Sequence, residues 1–105
     1  MYSIDQLRSL ALSLSHTEEL PHFEKTSFRR KGKIFVTLHQ STGIATLKLS
    51  PAWQSVYIAA APHVFSAVPG SWGAKGYTHV ILQNAPPDMM EEAIRNAWQE
   101  VGGRK

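Results

Sequence analysis

Few residues in this chain are spaced for chemistry, and the ones that are carry positive charge. The segment Phe28-Arg29-Arg30-Lys31-Gly32-Lys33-Ile34-Phe35 sets four cations between Phe28 and the apolar pair Ile34-Phe35. Gly32 permits the tight reversal of a β-hairpin. So charged a turn presents its guanidinium and ammonium groups to solvent or to a polyanion.

Other reactive residue types lack partners. Ser13, Ser15 and His16 are close in sequence, but no glycine-framed elbow or orienting carboxylate accompanies them. They read as polar residues at a helix end. The histidines are His16, His22, His39, His63 and His79, with no His-x-x-x-His pair and no cysteine to complete a ligand set. His39 and His79 are placed to share a sheet face, but each reads as a half-exposed strand residue. Glu18-Glu19 falls in a loop. Glu91-Glu92 falls in the first turn of a helix, where the dipole explains it. No catalytic residue, metal site or cofactor is expected.

The glycine-rich stretch Pro69 to Gly76 lacks the Lys-Ser/Thr ending of a phosphate-binding loop. Trp72 within it either folds down to plug the core edge or stands free to stack on a base; the plug is the favoured reading. Trp53 and Trp98 sit at helical core positions and read as structural.

These residues need elements to position them. The chain has 105 residues, 43% hydrophobic and 10% aromatic, which suits one compact domain over 1–105. The absence of cysteine excludes disulfides and thiolate chemistry. No secretory pattern opens the chain and no stretch approaches a membrane span, so a cytoplasmic protein is expected.

Helix signals are clear at three places. Ser3-Ile4-Asp5-Gln6 has capping-box form, and Ile4, Leu7, Leu10-Ala11 and Leu14 repeat at helical spacing, so a helix is expected over Ile4 to Leu14. Ser50-Pro51 starts a short helix that Pro62 ends. Asn84 to Asp88 opens a final helix with Met90, Ile94, Ala97, Trp98 and Val101 on its buried face. Gly102-Gly103 stops it, with Arg104 and Lys105 complementing its carboxyl end.

Between them lies β-structure. Ser15 to Pro21 reads as a loop. Phe23 to Phe28 gives a weak strand pattern, and Lys33 to His39 a stronger one with Ile34, Val36 and Leu38 on one face and Phe35 and Thr37 on the other. Ile44 to Leu49, His63 to Val68 and Tyr77 to Gln83 complete the set. The implied class is α+β: a two-layer sandwich with an antiparallel sheet and both terminal helices on one face.

The net charge is +3, unevenly spread. From His22 to Lys48 stand Lys25, Arg29, Arg30, Lys31, Lys33 and Lys48 against Glu24 alone, while the rest of the chain is slightly acidic. Such asymmetry suits a polyanionic partner.

Taken together, the pieces Leu7-Arg8-Ser9-Leu10-Ala11-Leu12, His16 to Phe23, Ser27 to Phe35, Ala45 to Leu49 and Tyr77 to Val80 resemble the MmcQ/YjbR family of small bacterial domains. The resemblance implies a frataxin-like fold and a DNA-binding double-wing domain. It also departs from that family, because Tyr77 follows Lys75-Gly76 where an indole is usual. Frataxin likeness suggests iron, but helix 1 offers only Asp5, with Arg8 nearby, and no acidic ridge.

The expected function is weak, largely sequence-independent DNA binding without a membrane partner. Phosphates would be contacted by Lys25, Arg29, Arg30, Lys31, Lys33, Lys48 and Lys75, with Trp72 stacking on a base. The alternatives are a non-catalytic protein-interaction or structural domain and, less supported, a small-molecule pocket lined by His39, Trp72 and His79.

Overall fold

Local capping and alternation dictate most of the elements. A computed structural model describes residues 2–102. Helix α1 spans Ile4–Ser13, and its N-terminus is closed reciprocally: Ser3 Oγ accepts from Gln6 N–H at 3.0 Å, while Gln6 Oε1 accepts from Ser3 N–H at 2.8 Å. Four strands then form a meander: β1 (Thr17–His22), β2 (Lys25–Arg30), β3 (Lys33–His39) and β4 (Ile44–Lys48). Helix α2 (Pro51–Ala60) starts on the Ser50 cap with Pro51 in its first turn. Strand β5 (Phe65–Ala67), the one-turn helix α3 (Ser71–Ala74) and strand β6 (Tyr77–Ile81) follow. A 3-10 turn (Leu82–Asn84) leads into α4 (Pro87–Gly102). The expected role of Arg104 and Lys105 lies outside the described residues.

All six strands join one antiparallel sheet in the order β1-β2-β3-β4-β6-β5. The terminal helices cover one face of it, as the sequence pattern implies. Phe28, Val36, Leu38, Ala45, Leu47 and Val80 point into that layer, where Leu7 and Ala11 of α1 and Met90, Ala93, Ile94 and Ala97 of α4 meet them. Each large side chain buried there contributes roughly 1.5–3 kcal/mol relative to exposure. Helix α2 docks on the same layer through Tyr57, whose ring stacks on Phe65 at 5.1 Å. Its hydroxyl donates to Glu92 Oε1 and accepts from Asn96 Nδ2, both at 2.8 Å.

Four details depart from the sequence expectation. Thr17 to His22 is an edge strand rather than a loop: Pro21 lacks an N–H, and an edge strand that pairs only with β2 tolerates that loss. The pairing slips between Phe28 and Arg29, since Phe28 faces Val36 but Arg29 faces Ile34. Phe35 is the extra residue of this β-bulge. It is fully buried, and Ile34 turns to the opposite face from Val36 and Leu38. Trp53 is not a core residue: it is 39% exposed and stacks along Tyr57 at 5.5 Å. The glycine-rich stretch contains the α3 turn.

Candidate nucleic-acid interface

The sheet face opposite the helices carries the residues of interest. Register places Ser27, Thr37, Thr46 and His79 in a row across it, with Lys48 beside Tyr77 at one end. Lys25 and Arg29 flank Ser27 on the same face of β2. The Arg29 guanidinium is held there, donating from Nε to Ser27 Oγ at 3.0 Å. The Ser27 hydroxyl donates in turn to Leu20 O at 2.8 Å, so this buried polar group is satisfied.

His79 closes the row. Its Nδ1 is 3.1 Å from Thr46 Oγ1. Burial, and secondarily the Lys25 ammonium, push its imidazole below the ordinary histidine value. Both effects favour the neutral ring, which adds hydrogen-bonding capacity rather than charge.

The cationic hairpin is less protruding than its sequence suggests. Its two central residues both take positive φ, Lys31 at 50° and Gly32 at 85°, the signature of the tight primed turn that matches strand twist. The tip is braced: Lys31 N–H donates to His16 O at 3.0 Å. Arg30 folds back on the body. Its guanidinium sits 3.6 Å over the Trp98 ring and donates to Trp98 O at 3.0 Å. The charge of Arg30 thus serves the carboxyl end of α4, where unpaired carbonyls favour a cation. Lys31 and Lys33 remain exposed.

Lys48 is partly committed as well. Its ammonium is 3.8 Å from Glu100 Oε2 and donates to Lys75 O at 3.1 Å. Lys75 is exposed, with its ammonium 5.3 Å from the Trp72 ring centre. Among the described residues, Lys25, Arg29, Lys31, Lys33 and Lys75 have no carboxylate within 4.0 Å.

Trp72 does not plug the core. It is 56% exposed and meets Tyr77 edge-on at 5.1 Å. Together they form one wall of a cleft of about 270 Å³ that also involves His22, Ile34, Phe35, Thr37, Thr46 and Lys48. Strand β1 is four places from β6, about 19 Å across a flat sheet. His22 and Tyr77 share this cleft because the sheet curls, and the bulge at Phe35 is one cause of that curl. His39 and His79 do not line it. Among the described residues, no three histidine, aspartate or glutamate side chains converge as metal ligands would. No described helix is long and apolar enough to cross a membrane.

Phe23 is the residue sequence reasoning missed. It occupies the β1–β2 turn at φ 59°, is 93% exposed, and contacts the His22 ring edge-on at 4.9 Å. Nothing in the sequence separates it from the buried Phe28, because both sit among polar neighbours at strand spacing.

A curled antiparallel sheet, helical on one side and basic and aromatic on the other, defines a small α+β domain. The chain belongs to the YjbR family, whose family model matches residues 12–100. Its structure is similar to the crystal structure of Deinococcus radiodurans protein DR2400, a DUF419 domain, with a TM-score of 0.84. That likeness covers all of this chain and 84% of the other at 23% identity, so it speaks for the fold alone. No curated protein matches the sequence.

Proposed function

We propose that this protein is a non-catalytic DNA-binding module that grips phosphates with the uncovered sheet face and the hairpin beside it. One observation carries the reading: Lys25 and Arg29 stand on that face, Lys31 and Lys33 are exposed in the hairpin and Lys75 is exposed next to Trp72, all without carboxylate partners among the described residues. Cations so placed release condensed counterions from a nucleic acid, giving affinity that is weak, indifferent to sequence and steeply salt-dependent. The interface differs from the one the hairpin alone suggests, because Arg30 is engaged by Trp98 and Lys48 by Glu100.

The test is a fluorescence-anisotropy titration of a labelled duplex at two salt concentrations. Binding at low salt that collapses on raising the salt is the expected result. No binding at low salt rejects the reading, and capture of a protein partner through the same face would replace it.

A further inference from the structure

The cleft beside Trp72 has the make-up of a receptor for one flat ring. Its wall is the indole of Trp72 set nearly perpendicular to the phenol of Tyr77, at 83°. Its apolar floor is Ile34, with the buried, bulged Phe35 behind it. Thr37, Thr46 and His22 complete its lining. The volume, about 270 Å³, lies below the ~300–1,000 Å³ typical of clefts that enclose drug-sized ligands. A single heterocycle is the scale of occupant that fits.

Charge around the cleft selects among flat rings. Lys48 lines it with an ammonium 5.3 Å from the Tyr77 ring, and Lys75 stands at a similar distance from Trp72. Lys25 and Arg29 share the sheet face. A ring attached to phosphates on both sides matches this pattern: the ring enters while the phosphates stay outside on the cations. Aromatic side chains interleaved with cations are the recurrent means of holding single strands.

We infer that this cleft takes one unpaired nucleobase of single-stranded DNA, stacked against Trp72, with the flanking phosphates on Lys75 and Arg29. This rests on the DNA-binding reading above and adds the form of the substrate. A base within a duplex cannot enter without being unstacked and swung out, which costs free energy. The cleft therefore favours single strands, gaps or unpaired ends over intact duplex.

Trp72→Ala and Trp72→Phe are the informative variants, because the residue is exposed in a short turn and its loss leaves the core intact. Each is titrated against a short labelled single-stranded oligonucleotide and against the duplex of the same sequence, at matched salt. Trp72→Ala is expected to weaken single-strand binding roughly five- to a hundredfold, the range of one lost stacking contact, and to leave duplex binding unchanged. Trp72→Phe restores most of the loss. If Trp72→Ala changes neither affinity, or both equally, the cleft is not a base site although binding through the cations stands. If wild-type protein binds neither oligonucleotide at low salt, both this inference and the reading beneath it fail.

Discussion

Two adjacent arginines, identical in type, are given opposite jobs by this fold, and that difference is measurable. Arg29 lies on the uncovered face, while Arg30 covers Trp98 and caps the end of α4. The perturbation is a triple change, Arg29→Ala with Lys31→Ala and Lys33→Ala, set against Arg30→Ala alone. With Lys25, Arg29, Lys31, Lys33 and Lys75 all on phosphates, the slope of log K against log salt on duplex DNA is about −4.5, so a fourfold rise in salt weakens binding about 500-fold. With only Lys25 and Lys75 left, the slope falls to about −1.8 and the same rise costs about 12-fold. Arg30→Ala leaves the slope alone. It loses a charge-assisted hydrogen bond and a cation–π contact, a destabilisation of about 1–2 kcal/mol. Anisotropy titrations across a salt series give the slopes, and urea denaturation gives the stability. The reasoning fails if the triple variant keeps the wild-type slope, or if Arg30→Ala lowers it by about 0.9, the share of one phosphate contact.

Stability offers three further checks. Gly76 sits at φ 106°, and a Cβ there would run into the Leu49 carbonyl, so Gly76→Ala should cost about 3 kcal/mol or more by urea denaturation. Tyr57→Phe removes the hydroxyl shared by Glu92 and Asn96 and should lower stability by about 1–2 kcal/mol with the stacking on Phe65 retained. Glu19 is held below the ordinary carboxylate value of 4.5, first by the hydrogen bond from Arg8 and then by that from Thr26, against the opposing effect of burial. A depressed carboxylate stabilises the fold above its unfolded pKa and loses that contribution as pH falls through the folded value. The stability gap between wild type and Glu19→Gln should therefore be constant at neutral pH and close below about pH 4.5; a gap that persists at lower pH would show that the ion pair is not its source.

How much of this was legible depends on the range of the signal. Helix starts announce themselves within four residues. Ser3 with Gln6, and Ser50 with Pro51, satisfy or dispense with donors that any helix would leave open. The strands from Lys33 and Ile44 show in the alternation of apolar and polar residues. Strand β1 did not show, because a proline and two glutamates read as a loop until an edge position in the sheet makes them harmless. Nor did the bulge: alternation assumes an even register, and one unpaired residue carries Ile34 to the far face while Phe35 is buried.

The candidate interface divides along the same line. Charge density around residues 25–48, the absence of cysteine and the turn at Gly32 are properties of neighbouring residues, so composition and spacing determine them before folding. Which cation is free and which is spent depends on groups distant in the chain: Trp98 for Arg30, Glu100 for Lys48. The exposure of Trp72, its approach to Tyr77 and the cleft they share with His22 arise only when the sheet curls. Local free energies act over a few residues and can be read along the chain, whereas solvent access and long-range contact are fixed only by the packing of the whole.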